Sequence, residues 1–126
     1  KYNGFPYHYR FREESDSLAE KNRYFQAVTG ACLLTKSSSY NRVDGLCELL
    51  EWNFEDIDYC LSVGQTEKIA YCGRSKIYHE ESVSLKKNPV HKLFLNDNTK
   101  LFKQKWGKIG MDLHLYESNP RYNEIL

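Results

Sequence analysis

No apolar run in this 126-residue sequence approaches the roughly 20 residues that a membrane-crossing helix needs. Nor is there an excess of charge of either sign: 18 Lys and Arg stand against 17 Asp and Glu. Bulk electrostatics therefore favour neither nucleic acid nor an anionic membrane as a partner. The four cysteines, Cys32, Cys47, Cys60 and Cys72, form no CxxC pair, which removes the zinc-finger pattern. Cys32, Cys60 and Cys72 lie in apolar runs, where a free thiol behaves as a small hydrophobe, so buried, reduced thiols are expected. A disulfide framework has an even cysteine count in its favour but not the spacing of a small stapled scaffold. Internal repeats and low-complexity segments are absent. The opening residues do not read as a secretory signal. The first residue is Lys1 rather than Met, which gives the expectation of a segment from a longer protein.

What the sequence does have is aromatic surface: ten Tyr, six Phe and two Trp. That suits a folded domain, and equally a sugar-binding cleft. The length suits one domain or part of one. Residues 1–25 mix aromatic, charged, Gly and Pro residues and read as an irregular connecting segment, with a short helix near Ser17–Asn22. Phe25–Thr35 reads as a strand, with Gly30 inside it as either a tight packing point or a close approach to a ligand. Lys36–Val43 is weakly helical, and Asp44-Gly45 is a turn. Lys68–Cys72 and Lys76–His79 read as a strand pair around the Gly73-Arg74 turn. Lys87–Trp106 reads as helix, interrupted at Asn96-Asp97-Asn98.

The chain centres on Trp52-Asn53-Phe54-Glu55-Asp56-Ile57-Asp58-Tyr59-Cys60-Leu61. Phe54, Ile57 and Leu61 fall on one helical face. The expected helix spans Asn53–Val63, capped by Asn53 and closed by Gly64. Three acids then occupy its first turn, where the macrodipole favours negative charge. On spacing alone this is an amphipathic helix with a solvated acidic start. A carboxylate aimed into a cleft as a general base is the alternative.

Two further stretches accompany it: Val28-Thr29-Gly30-Ala31-Cys32-Leu33-Leu34 upstream, and Ile77-Tyr78-His79-Glu80-Glu81-Ser82 downstream. In this order, and followed by Lys100–Gly107 ("KLFKQKWG"), they resemble the family 2 inverting glycosyltransferases, in particular the bacterial rhamnosyl- and galactofuranosyltransferase-like branch. The resemblance runs from about Gln26 to Gly107. Asp44-Gly45-Leu46 departs from the family's "GGF" turn. The implied fold is α/β, the C-terminal part of a glycosyltransferase A-type fold. Residues 26–107 would form its acceptor-side, catalytic-base part, and 108–126 a tail.

The resemblance also implies roles. Glu55-Asp56 matches the family's acidic pair, whose second member is usually the base. Asp56 is thus the expected base, with Glu55 contacting the acceptor or orienting it; the nearby Asp58 leaves a swap of roles open. Thr29, Gly30 and Ala31 would lie against substrate, and Trp52 could stack on an acceptor sugar or serve as a core contact. His79 would help hold a divalent metal, Mn²⁺ or Mg²⁺, beside a diphosphate; taken alone it is an ordinary surface histidine. Arg74, Lys86 and Lys87 could meet a phosphate or simply be solvated. His8, His91 and His114 have no such context.

The partners implied are a nucleotide-sugar donor and a glycan or lipid-linked acceptor, with no nucleic acid. The implied setting is polysaccharide synthesis in the cytoplasm, with peripheral association at the inner face of a membrane. The family's nucleotide-binding half, with its Asp-x-Asp metal motif, has no counterpart here. The chain is accordingly expected to be inactive alone, and self-association of the piece through an exposed sheet edge is a further expectation. A non-catalytic carbohydrate- or protein-binding module is the competing class. A hydrolase using Glu55 and Asp56 fits poorly, because neighbouring helix positions diverge by about 100° and need not flank a bond.

Overall fold

The computed structural model describes residues 6, 19–80 and 91–107. Among these residues the chain is a small mixed α/β fold: a two-stranded antiparallel sheet and three α-helices. In order they are β1 (Arg23–Phe25), α1 (Ser37–Arg42), α2 (Glu55–Val63), β2 (Ile69–Tyr71) and α3 (His91–Trp106). Two single 3-10 turns, Gly30–Cys32 and Glu48–Leu50, sit between them. The expectations for residues 1–5, 7–18, 81–90 and 108–126 lie outside the described residues, among them His8, Glu81, Ser82, Lys86, Lys87 and His114. The expected helix near Ser17–Asn22 does not appear in its described part, where Ala19–Lys21 turns and bends.

β1 and β2 pair Arg23 with Tyr71, Tyr24 with Ala70 and Phe25 with Ile69. Phe25 meets Tyr71 edge-on, with ring centroids 5.4 Å apart. The turn after β2 lies directly on the chain before β1. A Cβ on Gly73 would fall 2.3 Å from the carbonyl carbon of Glu20, so only glycine allows that approach. Around it, the Tyr71 hydroxyl donates to the Ala19 carbonyl at 2.8 Å and the Gly73 amide donates to Asn22 Oδ1 at 3.2 Å.

The strand expected over Phe25–Thr35 is far shorter: only Phe25 of that span is in the sheet. The apolar residues beyond it are satisfied by a helix instead of a ladder. Ala27, Val28 and Leu33 pack against Tyr59, Cys60 and Val63 of α2, together with Val43 and Ile69. The face of α2 that reaches the core is therefore Tyr59, Cys60 and Val63, with Asp58 also buried, while Phe54, Ile57 and Leu61 are only half-buried. The expected strand over Lys76–His79 is also absent. Residues 75–80 have no regular structure and are exposed, and no described strand lies beside them to pair with.

α1 and the Asp44-Gly45 turn stand where the sequence places them. Ser39, buried on α1, donates to Glu67 at 2.8 Å, and Arg42 makes an ion pair with the same carboxylate. α3 runs without a break through Asn96-Asp97-Asn98. The expected interruption fails because Asn98 is buried and its side-chain amide donates 2.7 Å to the carbonyl of Glu51, rather than capping a new helix. Gly107, at φ 61°, closes α3, and its amide donates to the Lys103 carbonyl at 2.8 Å. Of the cysteines only Cys60 is buried; Cys47 is half-buried, and Cys32 and Cys72 are exposed, contrary to expectation. All four are free thiols. None of the described helices is long and apolar enough to cross a membrane.

Candidate functional site

The acidic start of α2 is delivered by an unusual turn. Glu51–Phe54 holds Trp52 and Phe54 both in the left-handed region, at φ 71° each. Bulky side chains rarely sit there, and each such residue costs on the order of 1–3 kcal/mol. Phe54, not the expected Asn53, is the residue before the first helical position, and no side chain caps the helix from it. The first-turn amides are met another way: the Ile57 amide donates to Asp56 Oδ1 at 2.8 Å, which removes one of the donors a helix start leaves unpaired.

Asp56 also reaches across to the other conspicuous stretch of the sequence. The Gly30 amide donates to Asp56 Oδ2 at 2.6 Å, joining residues 26 positions apart. Gly30 opens a 3-10 turn whose preceding residue, Thr29, accepts from the Ala31 amide at 3.3 Å. A Cβ on Gly30 would lie 3.1 Å from the Asp56 Cβ, so a side chain there would push the Asp56 side chain back by a few tenths of an ångström. Each Asp56 oxygen thus takes one backbone N–H. A carboxylate offers about four lone-pair sites, so both oxygens keep a position open for a further donor. Asp56 is thus oriented from two sides and still able to accept.

Glu55, next to it, has a different environment. It is half-buried, and its Oε2 is enclosed without a hydrogen-bond partner among the described residues. Burial raises its carboxyl above the ordinary glutamate range; its own backbone amide pulls it back, and the Asp56 charge raises it further. Neighbouring carboxylates in unlike surroundings can take unlike roles, one accepting and one donating a proton.

Asp58 does not compete for the base role. It is 3 % exposed, shut off from an approaching hydroxyl, and both its oxygens are turned to donors from α3. Trp106 Nε1 donates to Oδ1 at 2.7 Å, and Lys105 Nζ lies 2.8 Å from Oδ1 and 2.9 Å from Oδ2. Both partners come from the end of α3. The same helix supplies Phe102, whose ring stacks on Phe54 at 4.9 Å, and Asn98, bonded to the Glu51 carbonyl. Sequence reasoning placed Lys105 and Trp106 in a motif but gave them no partner, and it missed Asn98. The signal was the helical spacing of 98, 102, 105 and 106, obscured by the expected break at 96–98.

Of the expected site residues, Thr29, Gly30, Ala31, Glu55 and Asp56 are brought together. Trp52 stands in the turn immediately before them, 55 % exposed. His79 is in the exposed segment 75–80. Among the described residues no three His, Cys, Asp or Glu side chains converge as a metal-binding group. Arg74, in the turn after β2, is exposed. No protein-family model matches the chain, and neither does any curated protein or solved structure.

Proposed function

We propose that this chain carries the acceptor-side, catalytic-base part of an inverting glycosyltransferase of the family 2 type, with a glycosyltransferase A-type architecture. The observation that carries the reading is the Gly30–Asp56 hydrogen bond. It joins the two stretches whose order in the sequence first suggested that family, and it leaves a carboxylate held from two sides with lone pairs to spare.

In this reading an acceptor hydroxyl approaches Asp56. Its oxygen attacks the anomeric carbon of a nucleotide-sugar as the carboxylate takes its proton, and the bond from that carbon to the diphosphate breaks with its electron pair leaving on the diphosphate. Glu55, beside Asp56, contacts the acceptor and so orients it. The Thr29–Ala31 turn and Trp52 border the same space, Trp52 offering an aromatic face to a sugar ring. His79 would contribute one imidazole to a divalent metal, Mn²⁺ or Mg²⁺, which when bound neutralises charge on the leaving diphosphate. The setting proposed is cell-surface polysaccharide assembly on the cytoplasmic side of a membrane, with a glycan or lipid-linked acceptor.

Calorimetric titration with uridine diphosphate and Mn²⁺, beside His79→Ala, tests the donor side. Binding that requires the metal and weakens in the variant is the expected result. Binding that ignores both the metal and the substitution would overturn the assignment of His79. A second reading, a binding module that keeps a carbohydrate surface without transfer, is favoured by the exposure of Trp52. It parts from the first in giving Asp56 no role beyond structure.

A further inference from the structure

The last two and a half turns of α3 make four contacts with the segment around Glu55-Asp56, and they bracket it. Asn98 holds the Glu51 carbonyl and Phe102 stacks on Phe54, both before the acidic pair. Lys105 and Trp106 hold Asp58, just after it. Positions 98, 102, 105 and 106 share one helical face, and that face meets Glu51, Phe54 and Asp58. Between the anchors lie the two left-handed residues, Trp52 and Phe54. Backbone in that region persists only when its surroundings over-determine it. Asp58, buried while Lys105 stays partly exposed, is itself a costly way to fix a helix, since a buried carboxylate must recover its lost hydration from its partners. What a charged, hydrogen-bonded anchor supplies is direction.

We propose that Lys105 and Trp106 are positioning residues for Asp56: through Asp58 they set the rotation and height of the first turn of α2, and so bring the Asp56 carboxylate within reach of the Gly30 amide. Asn98 and Phe102 fix the turn from its other end. The proposal rests on the reading of Asp56 as the base, but the link from α3 to the Gly30–Asp56 bond is testable without any sugar or nucleotide.

The test is ¹⁵N–¹H spectroscopy of the full chain, following the Gly30 amide, with thermal unfolding recorded in parallel. An amide donating to a carboxylate at 2.6 Å resonates well downfield and exchanges slowly. Trp106→Phe keeps a ring and removes the indole N–H; Lys105→Met keeps the stem and removes the charge. In each, the Gly30 resonance moves upfield and its exchange quickens by roughly tenfold, while Lys105→Arg restores the parent values. If Trp106→Phe unfolds, Lys105→Met against Lys105→Arg carries the comparison. A folded variant lacking the Asp58 anchor but with an unchanged Gly30 amide overturns the proposal. An intact Gly30 response with no glycan binding would instead overturn the acceptor-side reading and leave the positioning role standing.

Discussion

At the scale of single residues, the site is a contrast between two adjacent carboxylates. Asp56 is fixed by two backbone amides, and Glu55 is pushed toward its neutral form by burial. A group whose folded pKa lies above its unfolded value stabilises the fold below the unfolded value, and that contribution is lost as pH rises through the folded value. Glu55 should therefore cost stability above the ordinary glutamate range. Glu55→Gln is expected to raise the unfolding temperature at pH 7 and to make little difference near pH 3, where the carboxyl is almost wholly neutral in both states. Melting curves followed by circular dichroism across that range check the sign. A gain of equal size at both pH values would show that ionisation is not the cause. Retaining a residue that weakens the fold is what a role in chemistry predicts.

At the scale of elements, α3 determines where the acidic turn stands. Phe102 is buried and stacked on Phe54, so Phe102→Ala should cost about 3–5 kcal/mol in urea unfolding. A loss under about 1 kcal/mol would mean that the turn is held without α3. This was the least legible part of the sequence. The acidic first turn of α2, α1, the Asp44-Gly45 turn and a strand at Ile69–Tyr71 all follow from local pattern. The limits of β1 do not, because Val28 and Leu33 could fill a strand or a helix-packing surface equally well, and only the position of α2 decides. The same holds for Asn98. Asn-Asp-Asn is a local signal for a helix break, but a tertiary hydrogen bond to Glu51 outweighs it. The contact between Gly30 and Asp56 spans 26 positions. The residues were legible as candidates; their meeting was not, since no local rule specifies it. Trp52 and Phe54 in the left-handed region lie further still from sequence rules, because nothing in their side chains favours that backbone.

At the scale of the whole molecule, the described residues form two packed regions joined through α2. One is the Tyr59, Cys60 and Val63 core under the 27–33 segment, and the other is the contact of α3 with the 48–54 turns. The candidate site lies at the start of α2, with the first region supplying the Gly30 amide and the second supplying the anchors. A surface that faces a glycan acceptor should respond there and not elsewhere. His79, in the exposed segment 75–80, belongs to the donor side of the same proposal. The calorimetric comparison with His79→Ala separates that side from the acceptor side.

The measurement that tests the central claim most directly is an amide-resolved titration of the full chain with a panel of oligosaccharides, wild type beside Asp56→Asn. The account predicts that at least one glycan shifts the amides of Gly30, Ala31, Trp52 and Glu55 together, with little change in the Tyr59–Val63 core, and that Asp56→Asn weakens that response. Shifts confined to other surfaces, or the same response with and without the Asp56 carboxylate, would contradict it.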